Sequence, residues 1–147
     1  MADLKRILIA EDNPNDLELT LTALNENHVA NEIITVGDGA EALDYLYSRG
    51  RFAGRPPGSP AVVLLDMKMP KVDGIEVLRQ IKTDPQLRTV PVVMLTSSAE
   101  EPDLKRSYEL GVNAYVVKPV DFTEFISAVS RLGIFWGLVN TSPPTRG

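Results

Sequence analysis

The chain of 147 residues contains no cysteine. Disulfides and thiolate chemistry are excluded outright, an absence in keeping with a reducing compartment. Positive charge is in deficit, with 15 Lys and Arg against 20 Asp and Glu and a formal net charge of -5. That balance argues against broad, unspecific binding to nucleic acid. No apolar run is long enough to span a bilayer, and the N-terminus, with Asp3 and Lys5, runs straight into a strand-like segment without the layout of a secretory signal. A cytoplasmic protein with no membrane association and no direct nucleic acid contact is expected. The one histidine, His28, reads as a surface side chain late in a helix. What the chain does have is 44% hydrophobic and 24% charged residues, the composition of a packed core in one domain.

Five short apolar runs, "RILIA" (6–10), "EIITV" (32–36), "AVVLLD" (61–66), "PVVMLT" (91–96) and "AYVVK" (114–118), alternate with stretches of helical spacing. Leu17, Leu21 and Leu24 form one stripe; Ala42, Leu43, Leu46 and Tyr47 a second; Ile75, Leu78 and Ile81 a third. A weaker one covers 102–110, and Phe122, Phe125, Ile126, Val129 and Leu132 form the clearest. Strands alternating with helices predict an α/β fold on a parallel sheet. Asn13 is placed to cap the first helix with Pro14 at its first position, and Gly111 to end the fourth. The Gly-, Pro- and Arg-rich stretch 48–60 reads as a mobile surface loop, and 141–147 as a flexible tail.

Open parallel sheets bind ligands at the carboxyl ends of their strands. The residues there are Glu11-Asp12, Gly37-Asp38, Asp66, Thr96 and Lys118. If the first and third strands adjoin, Glu11, Asp12 and Asp66 converge, and three close carboxylates do not all ionise without a cation. Hard oxygen donors in a partly solvated site suit Mg2+. A carboxylate can also be a phosphoryl acceptor, and Asp66 with Mg2+, Lys118 and Thr96 supplies what such a transfer needs. Taken singly, Glu11 and Asp12 are equally helix-start acids, Asp66 a turn former, Thr96 a strand-end hydroxyl and Lys118 a solvated lysine.

The motifs "ILIAEDNP" (7–14), "VVLLDMKMPKVDGIEVL" (62–78), "PVVMLTSSAEE" (91–101) and "GVNAYVVKPVD" (111–121) together resemble the receiver domains of two-component response regulators. The resemblance implies a flavodoxin-like (βα)5 fold with strand order 2-1-3-4-5 and a single receiver domain over 4–140. It implies Asp66 as phospho-acceptor. It makes Asp12, Glu11, Asp66 and the backbone carbonyl of Lys68 the Mg2+ ligands. Lys118 becomes the phosphate-pairing lysine, and Thr96 and Tyr115 the switch pair. A cis bond at Lys118-Pro119 is common in the family. Lys68 is an uncommon neighbour of the acceptor, and its ammonium is expected to modulate phosphoryl lifetime. The long loop before the third strand, "EDNPND" and the "FW" near the C-terminus resemble the stand-alone regulators of phytochrome-type histidine kinases.

With about fifteen residues after Leu132, the chain is expected to act through partners, through another phosphotransfer step or through self-association. In "RLGIFWGLVN" (131–140), Trp136 and Val139 continue the stripe of the fifth helix, while Ile134, Phe135 and Leu138 point to the other side. That ridge predicts a homodimer through helix 4, strand 5, helix 5 and the tail, against the alternative of a tail folded back on the domain. The competing function is a pseudo-receiver that binds proteins without phosphoryl chemistry. An aspartyl-nucleophile phosphatase would need an acid where Lys68 stands, and a flavin site would need Gly, Ser or Thr where Glu11 and Asp12 stand.

Overall fold

The alternating pattern folds as a five-stranded parallel sheet in a computed structural model that describes residues 6–26, 32–97 and 102–131. The strands are β1 (Ile7–Ala10), β2 (Ile33–Val36), β3 (Val62–Asp66), β4 (Val92–Thr96) and β5 (Ala114–Val117). Each connection carries a helix: α1 (Pro14–Glu26), α2 (Gly39–Leu46), α3 (Gly74–Thr83) and α4 (Pro102–Glu109), with α5 (Phe122–Arg131) closing the described chain. The strand order is β2-β1-β3-β4-β5, the flavodoxin-like arrangement.

The three central strands, β1, β3 and β4, are buried throughout because both faces of the sheet are covered there, and their alternate residues feed two cores. Leu8, Ala10, Val63, Leu65, Val92 and Met94 pack with residues of α2, α3 and α4. Ile7, Ile9, Val62, Leu64, Val93 and Leu95 pack with Leu24 of α1 and with Phe125 and Ala128 of α5. Each of the larger apolar side chains, the Val, Leu, Ile, Met and Phe residues, contributes about 1.5–3 kcal/mol by leaving water. Strand β3, sealed on both sides along its whole length, holds Asp66 at its tip on a rigid support.

The caps are as expected. The Asn13 side-chain oxygen accepts the N–H groups of Asn15 and Asp16 at 2.9 and 3.0 Å, and Gly111 follows α4 with a φ of 96° that only glycine adopts readily. Three expectations change. Tyr47 does not join the stripe of α2: the helix ends at Leu46, the cap residue turns outward, and Tyr47 donates its phenol to Asp84 at 2.8 Å. Tyr45 is the buried tyrosine, at 2% exposure against 37% for Tyr47. The loop 48–60 is not loose. It has a 3₁₀ turn at Gly50–Phe52; Arg55 donates to the Tyr45 carbonyl at 2.6 Å and lies over the Tyr45 ring; Arg6 donates to the Pro56 and Pro57 carbonyls. Arg6 thus stands outside β1, fastening the loop. His28, Ile134, Phe135, Leu138 and the tail lie outside the described residues. Among the described residues no helix is long and apolar enough to cross a membrane.

Candidate acidic site at the sheet edge

Strand register brings the site together. Ala10 pairs with Leu65, so the next residues, Glu11 and Asp66, lie side by side. Asp66 pairs with Leu95, placing Thr96 one step further, and Thr96 pairs with Val117, so Lys118 follows another step on. The chain emerging from β5 is tied to β4 by Lys118 N–H donating to the Thr96 carbonyl at 2.7 Å, and the Lys118-Pro119 bond is cis.

Carboxylate oxygens of Glu11, Asp12 and Asp66 all lie within 4.8 Å of one another. Glu11 and Asp66 are buried and Asp12 is exposed. The cluster opens into a cleft of about 220 Å3 whose walls include Asp12, Asp16, Asp66, Lys68, Thr96 and Lys118. Lys68 reaches the cleft with its side chain exposed, Thr96 is buried, and Tyr115 is half-buried on β5 with its ring edge-on to Tyr108 at 6.2 Å. Every site residue the sequence singled out within the described chain therefore lies in or beside one strand-end cleft, except Asp38 and Tyr115. Asp38 caps α2 by accepting the Glu41 N–H at 2.8 Å and faces Lys71 at 3.6 Å. Tyr115 sits below the cleft on β5.

Sequence reasoning missed Asp16, an acid in the first turn of α1. Its carboxylate is the nearest partner of Lys118, at 2.9 Å, whereas Asp66 and Glu11 lie at 3.3 and 3.4 Å. The signal was slight: Asp16 lies on the first turn of a helix that begins just after the acids at the tip of β1.

The electrostatics follow from this crowding. Burial, then a hydrogen bond with Asp66 and repulsion from its charge, push Glu11 up to about 7. The Asn13 N–H and Lys118 oppose that rise. Burial works against the charge on Lys118, but the Asp16 hydrogen bond and the charges of Asp66, Glu11 and Asp16 outweigh it and raise its pKa above the ordinary lysine value. The ammonium stays charged. Four carboxylates (Glu11, Asp12, Asp16, Asp66) against one ammonium leave -4 + 1 = -3 if all ionise. A divalent cation would bring this to -1. Hard oxygens on a rigid support with an open, solvated side suit such an ion, and Glu11, Asp12 and Asp66 could hold it.

Comparison with known proteins agrees with this architecture. The response regulator receiver domain family matches residues 7–130. The probable methanogenesis regulatory protein FilR2 of Methanothrix harundinacea is 40% identical over 137 residues, covering 93% of this chain and 86% of that protein. The response regulator Rcp1 of Synechocystis is 38% identical over 132 residues, covering 90% and 88%. Among solved structures, the bacteriophytochrome response regulator AtBRR superposes with a TM-score of 0.88 at 61% identity, over 95% of this chain and 100% of that one. The Mn(2+)-bound form of Rcp1 does so with a TM-score of 0.73 at 37% identity, over 95% and 99%. A family match from β1 into α5, joined to relatives this similar over most of their length, makes one assignment: this chain belongs to the response regulator receiver family, in the neighbourhood of phytochrome-associated members.

Proposed function

We propose that the chain accepts a phosphoryl group from a histidine kinase onto Asp66 in a Mg2+-dependent reaction and signals by changing shape. The observation that carries this reading is the joint placement of Asp66, the Glu11–Asp12 pair and Lys118 at one strand-end cleft. One Asp66 oxygen forms a bond to phosphorus in line with the departing group. The P–N bond of the donor phosphohistidine breaks, and its electron pair leaves on the imidazole nitrogen, which takes a proton. Lys118 stays charged throughout and neutralises the phosphoryl oxygens. Thr96, one strand over, donates its hydroxyl to a third oxygen. Glu11, Asp12, Asp66 and the Lys68 carbonyl hold the Mg2+, which when bound supplies charge neutralisation at the transferring group.

In this reading Thr96 and Tyr115 form the switch. Tyr115 lines a second, larger groove of about 790 Å3 together with Tyr108, Thr123, Glu124 and Ser127, between α4, β5 and α5. Phosphorylation shifts the population of this face. The same face, with Ile134, Phe135 and Leu138, is the proposed homodimer contact. The kinase is proposed to be phytochrome-type on the strength of the likeness to the bacteriophytochrome response regulator AtBRR, and the location cytoplasmic. Labelling by radioactive acetyl phosphate tests the chemistry. Incorporation that needs Mg2+ and vanishes in Asp66→Asn supports it; a chain that binds its partners but takes no label is a pseudo-receiver.

A further inference from the structure

The Lys118 ammonium has three N–H donors and three carboxylate neighbours, but the contacts are unequal. Asp16 at 2.9 Å has the length of a charge-assisted hydrogen bond; Asp66 at 3.3 Å and Glu11 at 3.4 Å are stretched beyond it. Asp16 is anchored through its backbone at the start of α1. Its N–H is held by Asn13 at 3.0 Å, and its carbonyl accepts the buried Thr20 hydroxyl at 3.0 Å. Asp16 stands apart from the Glu11–Asp12–Asp66 cluster, on the α1 wall of the cleft.

We propose that Asp16 is a positioning residue that draws Lys118 toward α1 and keeps its ammonium from closing onto Asp66 and Glu11. This rests on the phosphoryl-accepting reading above. Without Asp16 the ammonium has two carboxylate neighbours left, both in the cluster that would hold the metal. It then settles onto them and competes with the cation. With Asp16 in place, one N–H is spent on the helix and two remain for phosphoryl oxygens. Asp16 touches no reacting atom itself and acts through Lys118.

The discriminating experiment is a double-mutant cycle on Mg2+ binding, read by calorimetry on the full chain, with Asp16→Asn, Lys118→Met and the double variant. Asp16→Asn is expected to weaken Mg2+ binding about tenfold, the low end of what losing an outer-shell partner does. In the Lys118→Met background the same substitution is expected to have almost no effect. An equal loss in both backgrounds would show that Asp16 acts only through its own field, and no loss in either would show that it does not matter; both results overturn the proposal. Asp16→Ser and Lys118→Gln serve if circular dichroism shows either first choice unfolded. Acetyl phosphate labelling of the wild type separates the two levels. Coupling without labelling would sink the phosphoryl reading and leave the positioning role standing. Labelling without coupling would do the reverse, and a wild type that binds no Mg2+ would overturn both.

Discussion

A Cβ placed on Gly74 would sit 2.2 Å from the carbonyl oxygen of Asp66 and 2.9 Å from the Met67 backbone. The start of α3 therefore rests directly on the backbone at the tip of β3, and the Gly74 N–H donates to the Met67 carbonyl at 2.9 Å. Only a residue without a side chain allows that approach. Gly74→Ala must push the helix or the Asp66 peptide aside. The expected result is a loss of about 1–3 kcal/mol in urea unfolding, with acetyl phosphate labelling of Asp66 slowed because its carboxylate is displaced. Wild-type stability and labelling in Gly74→Ala would mean that the contact does not position the acid.

Glu11 gives the site a pH dependence with a defined sign. Its pKa is raised from 4.5 to about 7, chiefly by burial. The native chain therefore holds a proton that the unfolded chain has released in that interval, so metal-free stability falls as pH rises through it. A metal ion needs the ionised form. Mg2+ affinity should rise about tenfold per pH unit up to about 7 and then level off. Calorimetry in buffers of differing ionisation enthalpy should find about one proton released per Mg2+ at about pH 6, and nearly none at about pH 8.5. A flat profile would place the ion elsewhere.

Asn13 caps α1 and holds the turn that carries Asp16. Asn13→Ala should cost about 1 kcal/mol in chemical denaturation, and Asn13→Ser should recover most of it. Equal stability of all three would show that the cap does not hold that turn.

The two tyrosines at the end of α2 separate packing from surface. Tyr45→Ala removes a ring at 2% exposure and, as a large-to-small core change, should cost about 3–5 kcal/mol. Tyr47→Ala removes an exposed ring and its hydrogen bond to Asp84, and should cost about 1 kcal/mol. Reversed magnitudes in thermal or urea unfolding would restore Tyr47 to the core.

The middle of the sheet was legible because β1, β3 and β4 are buried on both faces, and continuous apolar runs such as "VVLLD" carry that signal alone. Their ends were legible to about a residue: Arg6 and Lys118 extend apolar runs in the sequence but serve a loop and a cleft in the fold. The site was legible as a list of strand-end residues. Which of them meet was fixed by strand order and register, and these are long-range. Asp38 ends a strand like the others, yet β2 lies at the sheet edge and its acid turns to cap α2. Asp16 was hidden for the opposite reason, since a helix-start acid needs no further explanation until a lysine from the other end of the chain is found beside it. Tyr45 and Tyr47 were confused because the pattern does not show where a helix stops, and a stop at Leu46 turns the next side chain outward.

The central claim is that Asp66 carries the phosphoryl group, and borohydride trapping tests it most directly. An aspartyl phosphate is reduced by borohydride to homoserine, which peptide mass spectrometry locates in the sequence. After incubation with acetyl phosphate and Mg2+, the account predicts homoserine at position 66 and at no other acid, and none when Mg2+ is chelated. Reduction at Asp12, Asp16 or any other acid, or no reduction with Mg2+ bound, would contradict it.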